Sequence, residues 1–224
     1  MVHLQPLPGS PRFGGSLDAV LDRAVYDART LVDNGCHGLI IENFHDAPFF
    51  RESIAPELVA SMTVAAHEVR RATSVPIGIN VLRNSWQAAM AVASVVGGAF
   101  IRVNVLTDAL VTDQGIIQGC AAELSRYRAA LGSEVLIFAD ILCKHAAPIA
   151  ARPIDVAWPA TPARCLTGCV DKQFGSAARR ALARPRRRLR HEPRSPGPGR
   201  RGRTRARTGP PGPARSSTAS GRAG

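Results

Sequence analysis

Apolar, β-branched runs alternate with amphipathic stretches along the first 155 residues. Val2–Leu4, Gly38–Glu42, Val75–Asn80, Ala99–Asn104 and Val135–Asp140 read as strands, and the segments at about 16–33, 56–73, 85–96 and 118–131 read as helices. Ser16, followed by Asp18 in the first turn, predicts a capped helix start, and Asp33-Asn34-Gly35 predicts its stop. A strand roughly every 25–40 residues, each followed by a helix, is the rhythm of βα units with a parallel sheet. Five units fit either an open five-stranded sheet or part of a (β/α)8 barrel, and periodicity leaves that choice open.

The same alternation sorts side chains onto faces, because a strand has a period of two. Ile77, Ile79 and Val81 share one face of the third strand, with Gly78 and Asn80 on the other. In the fourth, Ile101 and Val103 oppose Arg102 and Asn104, and in the fifth Ile137 and Ala139 oppose Phe138 and Asp140. The apolar face suits a layer of helices. The other ends in Glu42, Asn80, Asn104 and Asp140, each at the C-terminal tip of its strand, which is the edge where sites of parallel α/β proteins are built. Left unpaired in an apolar setting, such groups cost several kcal/mol each, about the desolvation of an unmade hydrogen bond. The ring therefore either binds a ligand or satisfies itself and nearby loop amides.

Glu42 and Asp140 are the candidate acid/base groups of this ring. Lys144-His145, after the fifth strand, adds a cation and a titratable imidazole near the same mouth, as a loop pair that is either solvated or catalytic. Arg102, Lys144 and Arg83 are candidates for holding anions, and Asn80 and Asn104 for orienting hydroxyls. Asn84 either joins Arg83 at the ligand or caps the helix that follows. His3 reaches the same rim if the first strand forms. The glycine-rich run Gly9-Ser10-Pro11 to Ser16 offers backbone amides to an anion, but it matches neither a P-loop nor a dinucleotide fingerprint. Cys165-x3-Cys169 lacks zinc-site spacing, and no His/Asp/Glu spacing marks a metal site, although Glu42 and Asp140 could share a divalent ion. No cofactor is readable.

Charge changes the picture of the chain's second part. Residues 1–155 carry 12 Lys/Arg against 15 Asp/Glu, whereas residues 156–224 carry 17 against 2, and 16 of those 17 are Arg. Only six of these 69 residues are Leu, Ile, Val or Phe, too few to repay the entropy of ordering. A basic, disordered tail is expected, and the pI near 11.0 describes that tail alone. Its Arg, Pro, Gly and Ala are what a GC-rich gene yields out of frame, so a frameshift near codon 155 accounts for it. The rival is a phosphate-binding tail, but Trp158 and Phe174 are its only aromatics and base stacking is not provided for, which argues against nucleic acid. Five scattered cysteines imply no disulfide framework, and without a signal peptide or a run of about 18 apolar residues a cytoplasmic location is expected.

Several stretches are familiar as they stand. "MVHLQPLPGSPRFGGSLDAVLDRAVYDARTL", "GLIIENFHDAPFF", "PIGINVLRN", "AFIRVNVLTDALVTDQGIIQG" and "KHAAPI" run in order through about residue 155 and resemble the BtpA family, also called BtpA/SgcQ. The resemblance implies a TIM-type barrel of the ribulose-phosphate-binding kind, acting on or binding a small phosphorylated or sugar-like molecule. It also implies, as the alternative, a non-catalytic role in photosystem I biogenesis with peripheral membrane association. It places His3, Glu42, Asn43, Asp46, Asn80, Arg83, Asn84, Arg102, Asn104, Asp113, Gln114, Asp140, Lys144 and His145 inside family motifs. Two departures stand out. Family members carry a lead-in before the Met-Val-His run, so Met1 reads as an internal methionine. They also continue with three further βα units that this sequence does not show after Asp155, so the chain as written is expected to be an incomplete barrel, unstable or inactive.

Overall fold

The computed structural model describes residues 1–140, 143, 145–150 and the backbone strand Cys165–Thr167. In chain order the elements are β1 (Val2–His3), α1 (Leu17–Asp33), β2 (Leu39–Glu42), α2 (Pro56–Ala72), β3 (Ile77–Asn80), α3 (Trp86–Val96) and β4 (Phe100–Val103). There follow β5 (Ala109–Thr112), β6 (Gly115–Gln118), α4 (Ala121–Ala130), β7 (Leu136–Ala139), β8 (Ala146–Pro148) and β9 (Cys165–Thr167). The main sheet is parallel throughout, in the order β1-β2-β3-β4-β7-β9. All five expected strands and four expected helices are present, their ends within one to three residues of the pattern's limits.

Local chemistry explains the boundaries. The Ser16 hydroxyl accepts from the Ala19 amide at 3.2 Å, capping α1. Its end is closed by Gly35 N–H to Val32 O and Cys36 N–H to Leu31 O, with Gly35 at φ +89°. Pro56 starts α2, where a missing N–H costs nothing, and Gly97 ends α3 at φ +72°.

Packing follows the parity of the strands. Leu39, Ile41, Ile77, Ile79, Ile101, Val103, Ile137 and Ala139 meet apolar residues of all four helices in one continuous core. Successive helices touch one another, α1 with α2, α2 with α3 and α3 with α4. The opposite face carries a smaller cluster, Ile40, Phe100 and Phe138, with the two rings stacked at 4.5 Å. Gly78 lies under this stack, and a Cβ there would come within 2.2 Å of the Phe100 ring. Tight packing thus requires glycine at this position on β3.

Two features depart from the expected pattern. First, residues 109–118 form an antiparallel hairpin, β5 with β6, and β8 joins it on the other side of β5. Leu110 and Ile117 face each other across the hairpin and bury a small core with Val105 and Cys143, while Val111 and Ile116 point outward. The helix expected from 118 therefore starts at Ala121, because residues 115–118 are already a strand and Gly119 is pressed against the backbone of Leu106 and Thr107. Second, β9 lies within the segment whose composition reads as an unfolded tail, and it pairs with β7 through Ile137↔Cys165, Phe138↔Leu166 and Ala139↔Thr167. The rest of residues 156–224, and Lys144, lie outside the described residues.

Candidate functional site

The parallel register aligns polar residues from adjacent strands into one layer. His3 pairs with Glu42 and Glu42 with Asn80 as Cα partners; Arg102 follows on β4, and Asn104 and Asp140 stand one residue beyond β4 and β7. These side chains meet in a connected network. Glu42 is buried, and its Oε1 accepts from Asn80 Nδ2 while Arg102 Nη1 lies 3.6 Å away. Its Oε2 is 3.3 Å from His3 Nε2. Arg102 grips Asp140 with both arms of its fork, Nε to Oδ1 at 3.0 Å and Nη2 to Oδ2 at 2.9 Å. Asn104 Nδ2 donates to the same Oδ2 at 3.0 Å.

The protonation of Arg102 and His3 follows from these contacts. Burial pulls the Arg102 guanidinium down, but hydrogen bonding and attraction to Asp140, then Glu42, prevail and hold it above its ordinary value. It is the counter-charge of two carboxylates, with Nε and Nη2 spent on Asp140 and Nη1 lying nearest Glu42. Burial lowers the His3 imidazole below its usual 6.5, against the attraction of Glu42. His3 is accordingly neutral at pH 7, with 39% of its side chain exposed, and it stacks on the ring of Phe44 at 4.4 Å. Among the described residues, one buried atom in the ring has no partner, the Asn104 Oδ1. A flip of that amide would turn oxygen toward the Asp140 carboxylate, so the orientation is set by the neighbour and the acceptor stays unmet.

Other members of the family motifs tie loops together. Asn43 Oδ1 accepts the Leu82 amide at 2.7 Å, and its Nδ2 donates to Asp46 Oδ2 at 3.1 Å. Asp46 Oδ1 in turn accepts the Leu7 amide at 2.8 Å, and burial raises this carboxyl above its ordinary value. Asn84, at φ +60°, clamps Val105 through its N–H at 2.8 Å and its C=O at 3.2 Å. Asn84 thus does not cap α3, whose N-cap is Ser85. Asp46, Asn43 and Asn84 stitch the loops after β1, β2, β3 and β4 into one rim. Asp46 and Asn43 also line a cavity of about 250 Å³ together with Gly9, Pro11, Phe50 and Leu82, so the glycine-rich run borders this cavity.

The hairpin brings a second set of groups to the rim. Arg83 Nε donates to Gln114 Oε1 at 3.2 Å, Nη1 lies 3.6 Å from Cys143 Sγ, and Nη2 is 3.7 Å from Asp113 Oδ1. Burial pushes the Cys143 thiol up, with Arg83 opposing. Strand parity could not anticipate Gln114 or Cys143 here, because both depend on the hairpin fold. The readable signal was Leu110-Val111 and Ile116-Ile117 flanking Asp113-Gln114-Gly115, a short turn between apolar pairs. His145 is exposed, takes the left-handed conformation at φ +57° just before β8, and makes none of the ring's contacts. Among the described residues no group of three or more His, Cys, Asp or Glu is placed to hold a metal, and no helix is long and apolar enough to cross a membrane.

Comparison with known proteins fits this layout. Photosystem I biogenesis protein BtpA of Synechocystis sp. is 51% identical over 149 residues, 66% of this chain and 52% of that protein. An uncharacterized protein of Pyrococcus furiosus is 48% identical over 146 residues, 65% of this chain and 55% of its own length. A mitochondrial uncharacterized protein of Caenorhabditis elegans is 34% identical over 188 residues, 80% of this chain and 68% of its own. The chain spans about half the length of the Synechocystis and Pyrococcus relatives. The model of the BtpA family matches residues 1–170, past the change in composition and through β9, and the chain belongs to the BtpA family.

Proposed function

We propose that the polar mouth binds a small, hydroxylated, sugar-like molecule and moves a proton to or from it through His3, with Glu42 orienting the imidazole. The observation that carries this reading is the line His3–Glu42–Asn80. A buried carboxylate, held on one oxygen by Asn80, fixes one nitrogen of a neutral, half-exposed imidazole and leaves the ring reachable from outside. That is the arrangement of an oriented general base. The unmet Asn104 acceptor supplies a place for a ligand hydroxyl. Asp140 serves by fixing Arg102 and Asn104 rather than by moving a proton itself. The relatives' additional length leaves room for further βα units, and we take the sheet as an arc of a TIM barrel. Its strands run in sequential order and its helices pack in succession on one face, whereas an open doubly wound sheet reverses its order and covers both faces.

The test is thermal melting of the full chain and of His3→Gln and Glu42→Gln with neutral pentoses and hexoses as probes. The expected result is a sugar-dependent rise in melting temperature for the unaltered chain, lost in Glu42→Gln, whose own melting temperature changes little. With a His3 value lowered below 6.5, the sugar effect should hold at neutral pH and fade as pH falls through that lowered value, and His3→Gln should lose this pH dependence. A Glu42→Gln chain that binds as well as the original but melts far lower would overturn the reading. The name of the Synechocystis relative favours a second reading, in which the fold is an assembly factor and the ring only a structural network. Under it no sugar shifts the melting temperature, and Glu42→Gln costs stability alone.

A further inference from the structure

We infer that Arg83 is the anchor for an anionic group, a carboxylate or a phosphate monoester, on the ligand, and that the hairpin tip Asp113–Gln114 occupies that anchor when the ligand is absent. This rests on the mouth being a ligand site, as proposed above, and assigns one end of the ligand. The first observation is a charge that is buried without a matching counter-charge. The Arg83 side chain is 11% exposed, and taking a guanidinium that far from water is costly unless a carboxylate meets it in good geometry.

No such carboxylate is present among the described residues. The buried candidate, Asp140, is spent bidentately on Arg102. Gln114 offers a neutral amide oxygen at 3.2 Å. Cys143 offers a thiol that burial keeps protonated, so it brings no negative charge. Asp113 is 3.7 Å away, beyond a good charge-assisted bond, and its side chain is 67% exposed, so water screens the pair. A planar fork so placed is suited to the two oxygens of a carboxylate or phosphate.

The second observation is what fills the position now. Asp113 and Gln114 are the two loop residues between paired Thr112 and Gly115, at the tip of a hairpin whose outer face is solvent. They imitate an anion, one with a carboxylate and one with an amide oxygen. Arg83 itself is held from behind, its amide donating to Phe50 O at 3.0 Å and its neighbour Asn84 clamped to Val105. A fixed cation facing a replaceable tip is an anchor with a door.

The probes are inorganic phosphate and acetate, titrated separately into the ¹⁵N-labelled full chain and followed by NMR. The Arg83 Nε–H resonance is identified by its loss in Arg83→Lys, which separates it from the many arginines beyond residue 155. Phosphate or acetate should move that resonance and the Gln114 side-chain amide together, and the anion acting at lower concentration names the group. In Asp113→Asn the half-saturating concentration should fall about two- to fivefold, the range expected for removing one exposed ion pair that competes. An unmoved Arg83 resonance, or an Asp113→Asn midpoint that is unchanged or raised, overturns the proposal. Sugar-dependent melting that still requires Glu42 would then leave the reading of the ring intact.

Discussion

Asn84 shows how one side chain can hold a rim together. It sits in the left-handed region and spends both ends of its amide on the backbone of Val105, tying the loop after β3 to the end of β4. Alanine there loses two buried hydrogen bonds and takes on left-handed strain, and we expect a loss of about 2–4 kcal/mol in urea unfolding. Glycine removes the same bonds but tolerates the conformation, so it should recover about 1 kcal/mol of that loss. Equal losses for the two variants would show that backbone strain plays no part. The same residue marks a limit of sequence reading. An Asn beside an Arg at the tip of a strand signals a polar position, yet ligand contact, helix capping and a backbone clamp all use the same amide, and only the left-handed φ and the partner at position 105 decide among them. Asn43 is the same case, since its partners, Asp46 and Leu82, come from different loops.

At the scale of elements, the period-two pattern carried most of the architecture. It assigned Ile101 and Val103 to the helix side and Arg102 to the ring, because a parallel register admits no other face once one side is buried. It did not show that Arg102 would be consumed by Asp140, since that depends on how far past its strand each tip residue stands. The hairpin was hidden for a different reason. Its strands have four residues each and only one buried pair, Leu110 and Ile117, too little alternation to separate from the start of α4. Gly78 gives a test of how the ring is supported from below. Its missing Cβ makes room for the Phe100 ring, which stacks on Phe138 two positions before Asp140. Gly78→Ala should destabilise by about 1–3 kcal/mol, the usual cost of overpacking. Combining it with Phe100→Leu should cost clearly less than the two single effects added, because the smaller side chain vacates the contested space. Strict additivity in urea unfolding would mean that the clash is relieved elsewhere.

For the whole molecule, the decisive question is which edges of the parallel sheet are closed. One edge is β1, a strand of two residues that offers little to a stray partner. The other would be β7, whose Leu136, Ile137, Phe138 and Ala139 form an apolar run, were it not paired along Ile137 to Ala139 by β9. The composition of residues 156–224 gives no hint of this, since averages over 69 residues hide a three-residue strand. Its partner lies in the acidic part of the chain, and the family match reaches it. We therefore expect a chain ending at Val170 to stay monodisperse in light scattering, while one ending at Asp155 self-associates through the bared β7 edge. The shorter chain should also lose amide protection at Ile137 to Ala139 in hydrogen exchange. Charge gives no competing explanation of that difference, because both chains lack the arginine-dense stretch that follows Val170 and carry nearly the same net charge. Equal dispersity and equal protection in the two would mean that β9 does not hold the edge, and Asp140, just beyond β7, would then owe its position to its backbone bond to Val103 O and to Arg102 and Asn104.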